Sequence, residues 1–248
     1  MMALAPSGKG RRMPGSDGEL TSPAQTVRST GRRRRAGWAV LAAAEVLLAA
    51  AVVILDLFIP TLLVLAMAAV SLAVRRQPPS ALGFRRSTRP GRLIATVFGL
   101  TVAWDLLQVS FTKPILYRLT GERQDLSQFA GLQGDLGSLL VLLALTWTLA
   151  AVGEEIVYRG YIPRRVSDVF GENIIGSLIG VGLSSLLFGL AHTEQGIIGV
   201  VLTFLDALFF SFLRWRFRNL WAAVLGHGFN NTIGLITFFF VGPIYELW

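Results

Sequence analysis

From Gly37 to Val74 the chain runs 38 mostly apolar residues in which Glu45 and Asp56 are the only charged ones. As one helix that stretch would be roughly 57 Å long, at 1.5 Å per residue. A bilayer's hydrocarbon core is only ~30 Å thick. The run therefore predicts two spans, joined near Asp56–Pro60. Further spans are predicted at about 93–111, from about 137 through EEIVYR (Glu154–Arg159) to an amphipathic end bent at Pro163, and at about 174–192, 196–213 and 220–241. The expectation is all-α: a polytopic transmembrane helix bundle of about seven (six to eight) spans.

Charge placement agrees with a membrane chain. Only 15% of residues are charged and mean hydropathy is +0.58, against about 25% charged in an ordinary soluble domain. The net charge of +8 comes from two segments. Residues 1–36 are rich in Gly, Pro, Ser and Arg, and carry eight bases against Asp17 and Glu19. Residues 75–92 carry six arginines and no acid. The first is expected to be a disordered cytosolic tail and the second a basic loop. With seven spans, both fall on the same side as Arg164–Arg165 and Arg214–Arg218, so the N-terminus is expected in the cytoplasm of a multi-pass cell-membrane protein. Contact with anionic lipid through the tail and loop 75–92 is expected. Nucleic acid is not expected as a partner, because no aromatic or fold signal accompanies the charge.

Two absences narrow the chemistry. The chain has no cysteine, which removes disulfides and thiolate metal sites. Its start, MMALAPSGKG, has no apolar core, so no cleavable signal is expected there, and the first span reads as a retained anchor. The organisation expected is a tail (1–36), N-terminal spans with the basic loop (37–136), a catalytic core (137–241) and a short C-terminal tail (242–248).

Charged groups at bilayer depth are costly and mark function. Glu45, Asp105, Glu154, Glu155, Arg159, His192, Asp206 and His227 are such groups, and His192 and His227 are the chain's two histidines. Glu155–Arg159, Phe188–His192 and His227–Asn231 are each four residues apart, so each pair shares a helix face. Three helices thus carry short polar stripes. His227 lies nine residues past Arg218, and Glu155 ten before Arg165, which is roughly 14–15 Å of helix in either case. The stripes are predicted to meet at one level. A carboxylate beside imidazole can deprotonate water. A second imidazole and an amide can stabilise an oxyanion. Arg159 would pair with Glu155 and leave Glu154 free for chemistry. The same side chains also make a zinc donor set, Glu154, His192 and His227.

EEIVYR fits EExxxR, FGLAH (Phe188–His192) fits FxxxH, and HGFNN (His227–Asn231) fits HxxxN. In order, spacing and membrane placement these resemble the CAAX-protease and bacteriocin-processing (CPBP, or Abi) family of intramembrane endopeptidases. The resemblance covers about residues 137–241. It implies a membrane-embedded protease acting on a membrane-associated peptide or protein. Carried over by motif, Glu154 and His192 activate water, His227 and Asn231 stabilise the oxyanion, and Glu155 and Arg159 support the site. A glutamate-type mechanism without metal is expected, with a zinc metalloprotease as the alternative. Tyr158 stands where the family commonly has Phe, a change expected to be tolerated.

Other readings stay open. Glu155–Arg159 can serve as a structural ion pair, and each histidine as an interhelical hydrogen bond. Glu45 and Asp105 read as structural or cavity-facing, and Phe188 and Asn230 as structural, while Asp206, which can cap a helix or line a cavity, has no assignment. A proton- or metal-coupled transporter also needs mid-membrane Glu and His. A non-catalytic immunity or scaffold protein on the same fold needs none of them.

Overall fold

A computed structural model describes residues 23–242, and their side chains from Ala36 onward. The chain divides into two units, 1–37 and 38–248. The core and the site lie in the second. The expected tail over 1–22 and the end of the expected C-terminal tail, 243–248, lie outside the described residues.

Every element among the described residues is helical: α1 (Pro23–Ile54), α2 (Pro60–Val74), α3 (Pro90–Leu107), α4 (Lys113–Thr120), α5 (Leu136–Leu145), α6 (Ile162–Phe170), α7 (Ile174–Leu190), α8 (Gly196–Phe217) and α9 (Leu220–Val241), with π and 3₁₀ turns between them. Helix α1 begins inside the stretch read as a tail. Among the described residues, five helical runs are long and apolar enough to cross a membrane: Ala36–Ile54, Pro90–Thr120, Leu136–Phe170, Thr193–Phe217 and Leu220–Val241. The shorter apolar helices α2 and α7 stand where the second and fifth spans are expected.

Sequence punctuation explains most boundaries. Pro60, Pro90 and Pro163 sit in the first turns of α2, α3 and α6, where a missing N–H costs nothing. Asp135, Asn173 and Asn219 cap α5, α7 and α9 by accepting from Ser138, Gly176 and Trp221 amides. One boundary differs from expectation. The third span does not end near Phe111 but continues through a π turn, Gln108–Thr112, into α4. Pro114 cannot donate, and its ring clashes with the carbonyl four residues back. A wider turn just before it lets the helix pass on.

The main core joins Val52, Val64, Val157, Tyr161, Leu187, Phe210, Leu213 and Leu220. Helix α7 packs on α6 and α8, and α9 on α3, α8 and the Thr146–Glu154 π segment. Two glycines on α7 and α9 permit close approaches near the site. A Cβ on Gly189 would meet the Val200 carbonyl oxygen at 2.8 Å, and one on Gly228 would meet the Trp147 ring at 2.5 Å.

The basic segments gather at one end. Asn219, in the turn between α8 and α9, accepts from the Arg85 amide (3.1 Å) and donates to its carbonyl (2.9 Å). Arg214 donates to the Leu82 carbonyl, and Arg165 to Gln77 Oε1. Loop 75–92, Arg165 and Arg214–Arg218 are thereby tied together, as shared sidedness requires. Glu45 accepts from Arg75 at 2.6 Å and from Ser71 at 3.1 Å. It ties α1 to α2, the structural role expected of it.

Candidate active site

The EEIVYR stretch lies in π helix rather than α helix. One π segment runs Thr146–Glu154 and the next Ile156–Tyr161, with Glu155 between them. Such i→i+5 turns are rare and recur at functional sites. No residue pattern in the sequence signals them. Widening the turn does not break the expected pair: Arg159 donates from a guanidinium nitrogen to Glu155 Oε1 at 2.9 Å.

Glu155 makes a second contact. His227 Nδ1 lies 2.9 Å from the same Oε1. A carboxylate only accepts, so Nδ1 carries the proton and donates. Glu155 is 0% exposed, Arg159 1% and His227 4%, while Glu154 keeps 18%. The buried carboxylate is thus committed to a cation and an imidazole. Its neighbour is the accessible one. Glu154 Oε2 has no hydrogen-bond partner and lies 3.9 Å from His227 Nε2.

His192 ends the third stripe, just past α7. Its Nδ1 lies 2.8 Å from the Phe188 carbonyl oxygen, to which it donates. In the neutral ring Nε2 then carries the lone pair. Aromatic rings fix both imidazoles. Phe210 stacks on His227 with centroids 4.9 Å apart and planes 12° apart. Phe188 meets His227 edge-on at 5.7 Å, His192 at 4.8 Å and Tyr158 at 5.1 Å. The Arg159 guanidinium lies over Phe188, 4.4 Å from its centroid. Phe188 is packing, as expected, but what it packs is the site. Tyr158 offers its ring to Phe188 as a phenylalanine would. Phe210 has no motif of its own on α8, and nothing in the sequence singles it out.

Glu154, Phe188, His192, His227 and Asn231 line one cavity of about 690 Å³. All three polar stripes therefore converge, and Glu155 and Arg159 stand directly behind. Asp105, which has no motif around it in sequence, accepts from Asn230 Nδ2 at 2.8 Å. Asp206, left without an assignment, accepts from Trp104 Nε1 at 2.7 Å. Both face the same cavity.

For zinc, the donor types are suitable, and both histidines tie Nδ1 to an acceptor as ligating histidines do. The spacing does not gather them: among the described residues no three His, Asp or Glu side chains are grouped closely enough to hold a metal ion. The arrangement as it stands offers a carboxylate with no hydrogen bond at Glu154 Oε2, two oriented imidazoles and an amide around a shared space. That set can deprotonate water and receive an oxyanion.

Residues 136–233 match the family model described as type II CAAX prenyl endopeptidase, Rce1-like. The matched stretch holds all six motif residues, Glu154, Glu155, Arg159, His192, His227 and Asn231. No curated protein and no solved structure matches the chain.

Proposed function

We propose, for a multi-pass membrane protein whose residues 136–233 carry an Rce1-like CAAX-protease domain of the CPBP family, that it hydrolyses a peptide bond of a membrane-associated peptide or protein by glutamate-activated water. One observation carries the reading. Glu155 is fully buried with its Oε1 held by Arg159 and His227, whereas Glu154, next to it in sequence, has no hydrogen bond at Oε2, only a 3.9 Å approach to His227 Nε2, and keeps 18% of its side chain exposed at the cavity.

Water sits between Glu154 and His192 Nε2. Glu154 takes a proton from it as the oxygen attacks the carbonyl carbon. The carbonyl π pair moves to oxygen, and that oxyanion receives hydrogen bonds from Asn231 Nδ2 and from His227. With Nδ1–H held by Glu155, His227 donates to the oxyanion from Nε2 in its imidazolium form, in which both ring nitrogens carry a proton. Collapse breaks the C–N bond, and the Glu154 proton passes to the leaving nitrogen. Arg159 keeps Glu155 in place and touches no reacting atom. The lipid bilayer surrounds the bundle, the N-terminus is cytoplasmic, and anionic headgroups meet the arginines of loop 75–92.

The test is cleavage of a quenched-peptide library by purified wild type and Glu154→Ala in liposomes, with and without chelator. Cleavage that vanishes in the variant and survives chelation supports the reading. Loss to chelator with rescue by zinc transfers the chemistry to a metal. Cleavage retained by Glu154→Ala refutes it.

A further inference from the structure

The cavity does not end at the histidines. It continues to a second set of polar side chains that hydrolysis does not use: Asp105 at the end of α3, Gln108 in the π turn after it, Asp206 on α8 and Asn230 on α9. They are cross-linked. Asn230 Nδ2 donates to Asp105 Oδ1 at 2.8 Å, and Gln108 Nε2 to Asp206 Oδ1 at 3.3 Å, where Trp104 Nε1 also donates. These bonds dictate the amide orientations, because a carboxylate accepts and only the NH2 end of an amide donates.

What remains unpaired among these side chains is acceptors. Gln108 is 5% exposed, and its Oε1 is buried with no hydrogen-bond partner. Asp105 Oδ2 is in the same condition. A buried acceptor without a donor carries its full desolvation cost. A group arriving with N–H donors removes that cost.

Charge points the same way. The cavity wall carries Asp105, Glu154, Glu194 and Asp206 against Lys113, beside His192 and His227. Arg159 lies behind, bonded to Glu155. Lys113 stands in the field of both Asp105 and Asp206 and offsets one of the two.

We infer that Asp105, Gln108 and Asp206 form a substrate subsite for one ammonium or guanidinium group, a Lys or Arg side chain of the peptide being cut. The inference rests on the protease reading. Asn230, which orients Asp105, is adjacent to Asn231 on α9. Asp105 and Asp206 share one cavity with Glu154, His227 and Asn231, so the recognised side chain belongs to a residue of the peptide near the cleaved bond. A neutral side chain there leaves the acceptors unpaired, and an acidic one adds like charge.

The experiment uses the full chain in liposomes and quenched peptides that differ at one position at a time around the cut, carrying Lys, Arg, Met or Glu. At one position Lys and Arg should exceed Met in kcat/KM by about tenfold or more, the value of a charged hydrogen bond. Asp105→Asn preserves shape and should shrink that ratio toward one. Asp105→Lys should turn the preference toward Glu. Gln108→Met gives an independent reading, also a reduced ratio, should either Asp105 variant lose its monodisperse elution. A flat wild-type profile, or an unchanged ratio in variants that fold, overturns the subsite and leaves the protease reading standing. If the wild type cuts nothing, the protease reading fails instead. Anisotropy of labelled peptides then judges the subsite, and Lys peptides binding no tighter than Met peptides overturn it.

Discussion

Glu155 Oε1 and His227 Nδ1 lie 2.9 Å apart although 72 positions separate the two residues in the chain. The bond joins the π-helical strip behind the site to α9. It sets the tautomer of the imidazole and consumes the carboxylate that also holds Arg159. Removing its charge should therefore act on fold and chemistry together. Glu155→Gln leaves the Arg159 cation buried without a counter-ion, a loss of about 3–5 kcal/mol. Thermal unfolding in detergent should show a markedly lower Tm, with cleavage impaired in whatever remains folded. A Tm equal to wild type would show that the ion pair contributes nothing net.

Glu154 should behave in the opposite way. Its Oε2 holds no hydrogen bond and approaches His227 Nε2 only at 3.9 Å, so Glu154→Gln should lower Tm far less than Glu155→Gln. If it is the general base, cleavage should fall by about 10²–10⁴-fold. Parallel melting curves and cleavage rates check both halves. A large loss of stability with proportionate loss of activity would assign Glu154 to the fold.

Gly228 tests the packing that places His227. Trp147 lies against it and donates to Thr232 Oγ1 at 3.1 Å, one turn further along α9. Gly228→Ala forces a methyl into that ring and should cost about 1–3 kcal/mol. Cleavage should fall as α9 shifts, measured at a temperature where the variant is still folded.

Glu45 tests the separation of structure from chemistry. It holds Arg75 and Ser71 at the α1–α2 junction. Glu45→Gln should lower stability by about 1–3 kcal/mol while kcat/KM of the folded fraction stays at the wild-type value.

Asp135 supplies a pH dependence at the mouth of α5. The Ser138 hydroxyl and amide donate to it at 2.6 and 3.2 Å, and these bonds hold its carboxyl below the ordinary aspartate value of 3.8. A depressed carboxylate contributes fully above the unfolded value and loses its contribution as pH falls through the folded one. Protection of the Ser138 amide against hydrogen exchange, corrected for intrinsic rate, should thus persist above pH 3.8 and fade below it. Asp135→Ala should remove the protection at both ends of the range.

The apolar runs determined by themselves that this chain is an all-helical membrane protein, because only a helix of sufficient length satisfies its own backbone in lipid. The prolines and Asn173 and Asn219 marked where helices begin, since those preferences act within a few residues. The spacing of EEIVYR, FGLAH and HGFNN was enough to name Glu154, Glu155, Arg159, His192, His227 and Asn231. It also set the depth at which they would meet, because rise per residue is constant along a helix. Which carboxylate is engaged and which is left open was decided only by α9 packing against the π segment that holds them, so that one histidine could reach Glu155. The same holds for Phe210 over His227, and for Asp105 beside Asn230 and Gln108 beside Asp206. Those contacts join residues on different helices, and their geometry depends on helix rotation and on where Gly189 and Gly228 let backbones and rings close in. A local pattern carries no record of its neighbour's rotation, so that part of the site exists only once the bundle is packed.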